Sequence, residues 1–235
     1  MDLREGVMKI KIECNILKNL LKNVYFINGT AYAGKSTMVR LLSEKHNGIL
    51  CGENYHEDLM EAIDIVAQPN LSYFKTMKNW QEFISRTPEE YDTWIMGCSR
   101  EAAELEIVKL IQLSVQNRKI FVDTNIPVEI LKEISEYHHV IVMLCPQSIS
   151  VERFFEREDE EKQFILQQIK MAPNPEDAMK NYKNCLAKVN SIEHYEHYVN
   201  SGFFTYVRDE DRTIEEALEQ LECHFGLIET EESIS

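Results

Sequence analysis

Residues Val24-Tyr25-Phe26-Ile27-Asn28-Gly29-Thr30-Ala31-Tyr32-Ala33-Gly34-Lys35-Ser36 decide how this chain reads. An apolar, strand-forming run enters a turn with glycines at Gly29 and Gly34, and helix-forming residues follow from Thr37 to Lys45. Strand, G-x-x-x-x-G-K-[ST], helix is the context of a phosphate-binding loop. The glycines admit positive φ, so successive N–H groups can converge on one concavity. The helix starting near Lys35 adds the partial positive charge of its N-terminus. On this reading Gly29, Thr30, Ala31, Tyr32, Ala33, Gly34, Lys35, Ser36 and Thr37 cradle a polyphosphate. Lys35 reaches the β- and γ-phosphates, and the Ser36 hydroxyl ligates Mg²⁺.

Outward from that loop, composition narrows the class. A chain of 235 residues with 44% hydrophobic content is read as a single domain with a sizeable core. The net charge of −15 and the lack of any dense Lys/Arg run speak against a nucleic-acid partner. Six scattered cysteines form no C-x-x-C pair, so zinc and redox motifs are unsupported, and reduced, core-filling thiols are expected. No signal peptide is read, and the longest apolar run, Val140 to Cys145, fits a buried strand. A soluble cytoplasmic protein with no membrane partner is the expectation.

Apolar runs alternate with helical patterns, which predicts an α/β fold with a parallel sheet covered on both faces. The strands are placed at Val24–Asn28, Gly48–Gly52, Lys119–Asp123, His139–Cys145 and Phe203–Val207. Helices are predicted over Ser36–Lys45, Pro88–Gln116, Pro127–Tyr137 with Asn125 as N-cap, Ser148–Lys170 and Pro175–Val199. Asn174, Pro175 and Asp177 mark the start of that last segment, and Thr213-x-x-Glu216 is a capping box for a final helix. The segment Gly52–Gln116 is too long for a simple crossover and should be mostly helical, lying over the loop.

With this layout the chain resembles the P-loop small-molecule kinases, the nucleoside and nucleotide kinases and their relatives. The resemblance covers most of residues 24–225 as an architectural pattern, and only the loop is a highly specific match. It implies a three-layer α/β/α fold with a five-stranded parallel sheet, a helical substrate-binding insert over 52–116 and a lid over 147–175. It also implies ATP and Mg²⁺. Asp123 ends the strand Ile120-Phe121-Val122-Asp123 in the Walker B manner, where a carboxylate holds Mg²⁺ directly or through water. Where many nucleoside kinases carry an arginine after this acid, Thr124 stands here. Arg153 and Arg157, four apart on one helix face, look like the lid arginines that neutralise charge on the phosphoryl group in transit. A carboxylate after the second strand would take the proton of the attacking hydroxyl. Glu53 stands closest to the strand end, with Glu57, Asp58 and Asp123 as alternatives. Arg208 and Arg212 flank a loop that borders the adenine in such kinases, or serve as surface charge.

Between Glu53 and Glu106 acids far outnumber the bases Lys75, Lys78, Arg86 and Arg100, which favours a neutral or cationic small-molecule acceptor such as a nucleoside or sugar-like compound. A nucleotide (monophosphate) kinase using Arg86 and Arg100 as a clamp is the first alternative. The second, of another class, is a nucleotide-binding switch with slow ATP hydrolysis. A homodimer stays open. His194 and His197 lack a third ligand and read as solvated or partly packed, and most of Tyr73, Phe74, Trp80, Phe83, Tyr91 and Trp94 read as a small core.

Overall fold

The computed structural model describes residues 11–146, 154, 160–208 and 212–228. A short helix α1 (Cys14–Leu20) precedes strand β1 (Val24–Gly29), which runs through the glycine loop into α2 (Lys35–Lys45). Strand β2 (Ile49–Cys51) follows, then a 3₁₀ turn (Glu57–Ala62), α3 (Tyr73–Thr76), α4 (Trp80–Ile84) and the long α5 (Pro88–Ser114). Next come β3 (Ile120–Asp123), α6 (Val128–Ile134), a second 3₁₀ turn (Tyr137–His139) and β4 (Val140–Leu144). The described chain closes with α7 (Glu160–Lys170), α8 (Pro175–Val189), α9 (Ile192–Val199), β5 (Phe204–Val207) and α10 (Ile214–His224).

The five strands pair in the order β2-β3-β1-β4-β5, and every pairing is parallel. The chain winds out from β1 to β2 and β3 on one side, then builds β4 and β5 on the other. Such a reversal leaves a crevice at the carboxyl ends of the central strands, where open α/β sheets bind ligands.

The strands are apolar throughout because both faces are covered, and their period of two sorts them between layers. Ile27, Phe121, Ile141 and Met143 pack with Val39 and Leu42 of α2 and Ala217 and Leu221 of α10. Their neighbours Val24, Phe26, Ile120, Val122 and Val140 face the other way. They pack with Leu110 of α5, Leu131 and Ile134 of α6, and Leu21 after α1. The result is a three-layer α/β/α arrangement.

A third cluster lies beyond the sheet. Phe83 and Ile84 of α4 and Tyr91 of α5 join Ile169 of α7 and Tyr182, Cys185 and Leu186 of α8. The aromatic-rich insert therefore does not close its own core: α7 and α8, from later in the chain, complete it. Helix α5 has 27 residues and at 1.5 Å per residue runs about 40 Å, long enough to serve the insert at its start and the sheet at its end. Its later half packs against the sheet through Ala103 and Leu110.

Two helix boundaries differ from the sequence reading. Asn125 is exposed and caps nothing; α6 starts at Val128 behind Pro127 and stops at Ile134, because Ser135 turns extended. The predicted Pro175–Val199 helix is two helices. Asn190 folds its amide back onto the Leu186 carbonyl at 2.8 Å, and Ser191 caps the new start by accepting from His194 N. Asn174, Thr87 and Thr213 cap α8, α5 and α10 through their side chains, the latter two with full capping boxes. Among the described residues, no helix is long and apolar enough to cross a membrane.

Candidate active site

The loop after β1 is held by its neighbours on three sides. Gly29 has φ 125° and lies against β4 so closely that a Cβ there would stand 1.9 Å from the Met143 carbonyl oxygen. Thr30 N donates to that same oxygen at 3.0 Å, and Cys145 N donates to Thr30 Oγ1 at 2.8 Å. From the β3 side, buried Asn28 donates to the Ile126 carbonyl at 2.6 Å and accepts from Gly29 N at 2.5 Å. At the apex, Tyr32 has φ 65° and its carbonyl accepts from Arg208 at 2.7 Å. Gly34, at φ 93°, is the N-cap residue of α2, with no side chain to satisfy the first helical N–H groups. Those donors and the helix dipole face the crevice, an arrangement suited to an anion.

Lys35 and Ser36 turn from the start of α2 towards Asp123 at the end of β3. The Ser36 hydroxyl donates to Asp123 Oδ2 at 2.6 Å, and Lys35 Nζ stands 3.9 Å from Oδ1. Lys35 also donates to the carbonyls of Gly29 at 3.3 Å and Thr30 at 3.1 Å. Its side chain is 13% exposed and that of Asp123 6%, so this pair is poorly screened by solvent. The register of β1 on β3, with Ile27 opposite Asp123, brings the two sequence-distant parts together. A hydroxyl and a carboxylate are hard oxygen donors, fitted to Mg²⁺, which takes its remaining ligands from water and phosphate. Among the described residues no cluster of three or more His, Cys, Asp or Glu could hold a metal ion unaided.

The loop opens into a cavity of about 940 Å³. All of Gly29 to Thr37 lines it, as do Glu53, Asp123 and Arg100. Other predicted residues are elsewhere. Glu57 and Asp58 do not line the cavity; Asp58 pairs with Lys109 at 2.5 Å. Arg86 is not in the lining either. Its guanidinium lies 3.8 Å from the Tyr73 ring centroid and 5.2 Å from that of Trp94, which corrects its place in a phosphate clamp. Arg212 donates to Gln220 at the surface, at 3.3 Å. Arg153 and Arg157 lie outside the described residues. Glu53 lines the cavity but is exposed, and no hydrogen bond from the described residues fixes it.

The sequence reading missed the opposite wall. Helix α9 contributes His194 and His197, each paired with a carboxylate: His194 with Asp92 at 2.8 Å, and His197 with Glu129 at 2.8 Å. It also missed Glu106, a carboxylate only 4% exposed that lines the cavity from α5. Thr124 Oγ1 donates to Glu106 Oε2 at 2.6 Å and Tyr55 Oη to the same oxygen at 3.0 Å. Burial pushes the Glu106 carboxyl up to about 7, against those two donors and with a smaller push from Asp123. Its signal in the sequence is its register: Ala103, Glu106 and Leu110 recur at helical spacing on the buried face, and an acid there is out of pattern.

No protein-family model matches the chain, and no curated protein matches it in sequence.

Proposed function

We propose that this chain is a phosphotransferase of the P-loop kinase type, dependent on ATP and Mg²⁺, that moves the γ-phosphoryl group to a hydroxyl of a small molecule. One observation carries the reading. The glycine loop, Lys35, Ser36 and Asp123 meet at the carboxyl edge of a parallel sheet and open into a cavity with room for more than a triphosphate tail.

The roles follow from chemistry. The loop amides and the α2 N-terminus bind the polyphosphate, and Lys35 offsets charge on its outer oxygens. Ser36 and Asp123 would hold Mg²⁺, which when bound spreads the charge of the β- and γ-oxygens. In the residues of this chain, catalysis is positioning and charge stabilisation, with little covalent chemistry to perform. The acceptor occupies the part of the cavity between α5 and α9. Glu53, Glu106 and Glu129 line the cavity alongside Arg100 and Lys162, a mixture that favours a neutral or cationic acceptor over a polyanion. The position of Arg86, against Tyr73 and Trp94, leaves a monophosphate clamp with Arg100 as its remaining arginine and weakens the nucleotide-kinase alternative.

The test is transfer of label from radiolabelled ATP across nucleosides, nucleoside monophosphates and amine-bearing sugars, with Lys35→Ala as the blank. A labelled small molecule formed by the parent chain and lost at least 100-fold in Lys35→Ala is expected. Equal transfer by both proteins would sink the reading, and ATP hydrolysis with no labelled acceptor would replace it with a nucleotide switch.

A further inference from the structure

We propose that Glu106 is the carboxylate that receives the proton of the acceptor's attacking hydroxyl, through its oxygen Oε1. The inference rests on the phosphotransferase reading above. It moves the role of base from the loop after β2, where Glu53 stands, to the middle of the structure's longest helix.

The geometry of the carboxyl group is one-sided. Both of its protein donors, Thr124 Oγ1 and Tyr55 Oη, fall on Oε2. Oε1 takes no hydrogen bond from the described residues, and the side chain borders the cavity. Thr124 is itself fixed, since its Oγ1 accepts from Ile126 N at 3.0 Å and so points its proton at Glu106. Burial, reinforced by the carboxylate, raises the Tyr55 phenol above its ordinary range, so that it too stays a donor. Two hydroxyls thus hold one oxygen and leave the other without a donor from the described residues, on a side chain that borders the cavity.

A purely structural role explains this poorly. A buried acid with no basic partner is costly, and no Lys, Arg or His among the described residues pairs with Glu106. A glutamine would serve the same two hydroxyls without that cost. An unpaired, immobilised carboxylate on a cavity wall is the form a proton acceptor takes when it is held ready for substrate. Glu53 has the opposite character, being exposed and without a hydrogen bond from the described residues. Glu106 also sits one residue contact from Asp123, because Thr124 follows Asp123 directly in the chain, so the base and the phosphoryl end share one wall.

The acceptor oxygen bonds to the γ-phosphorus of a nucleoside triphosphate while the bond from that phosphorus to the β–γ bridging oxygen breaks. The bonding pair leaves with the diphosphate, and the hydroxyl proton passes to Glu106 Oε1, from which it returns to solvent when product departs.

The experiment uses the full chain and the best acceptor from the label-transfer screen. It compares wild type, Glu106→Gln, Glu106→Asp and Glu53→Gln, reading kcat, KM and the affinity for a fluorescent ATP analogue. Glu106→Gln is expected to lower kcat by at least 100-fold, with nucleotide affinity within about threefold of wild type, and the loss of kcat in Glu53→Gln to be at least tenfold smaller than that. Should Glu106→Gln fail to fold, Glu106→Asp keeps the charge but withdraws it by one methylene, and a kcat at least tenfold down with nucleotide affinity intact is expected. Full kcat in either Glu106 variant, or a loss in Glu53→Gln as large as that in Glu106→Gln, would overturn the assignment while leaving the phosphotransferase reading in place. A wild-type chain that neither binds nucleotide nor transfers label would overturn both.

Discussion

Gly29 shows how much one missing methyl can decide. The loop must leave β1 at φ 125° while β4 passes within hydrogen-bond distance, and both demands exclude a side chain. Gly29→Ala is expected to cost more than about 3 kcal/mol and to abolish binding of an ATP analogue. Thermal unfolding and a fluorescence titration check the two halves, and a stable variant that still binds would refute the close approach. Glu106 makes a second prediction. Its pKa in the folded chain, about 7, is above the ordinary 4.5, so the folded state holds the proton more tightly than the unfolded one. The stability this contributes is complete below the ordinary value and is lost as pH rises through about 7. The loss is on the order of 3 kcal/mol. Glu106→Gln removes the slope. Urea unfolding should find the variant more stable than wild type at pH 8 and the two much closer at pH 5, and an unchanged gap would contradict the burial argument.

Helices α4, α5, α7 and α8 form a second body around aromatic rings, and Arg86 belongs to that body. Its guanidinium covers Tyr73 and approaches Trp94 and Phe83, while Asn181 of α8 donates to its backbone carbonyl at 2.8 Å. Arg86→Ala should therefore lower stability by about 2 kcal/mol and leave kcat and the acceptor KM unchanged. A large rise in KM for a monophosphate acceptor, without loss of stability, would return Arg86 to a phosphate clamp. The strands were legible from their apolar runs because burial on both faces removes any polar alternation to misread. The helix from Pro175 was legible at its start, where Asn174 caps it. Its break was not, since Asn190 and Ser191 compete for backbone groups only weakly until packing makes the choice.

For the molecule as a whole, the cavity lies between two cores that share α5, so occupying it couples them. A nucleotide that binds only the folded chain adds about 2.7 kcal/mol at a hundred times its Kd. For a chain of this length the melting temperature should rise by roughly 5–10 °C with saturating Mg-ATP, and Lys35→Ala should show no such rise. A shift of equal size in Lys35→Ala would place the nucleotide elsewhere.

From residue order alone came the loop Gly29–Ser36, the carboxylate at Asp123 and the five parallel strands. Each is local: a spacing of glycines, a strand ending in an acid, a run of apolar side chains. Which carboxylate is buried on the cavity wall, and which arginine lies against aromatic rings, depended on folding. Glu106 meets Thr124 and Tyr55 across 18 and 51 residues of chain, and α9 closes the far wall from 102 residues beyond Asp92. Contacts of that span leave no periodic trace, because they arise from how helices pack on the sheet and not from any pattern within one segment.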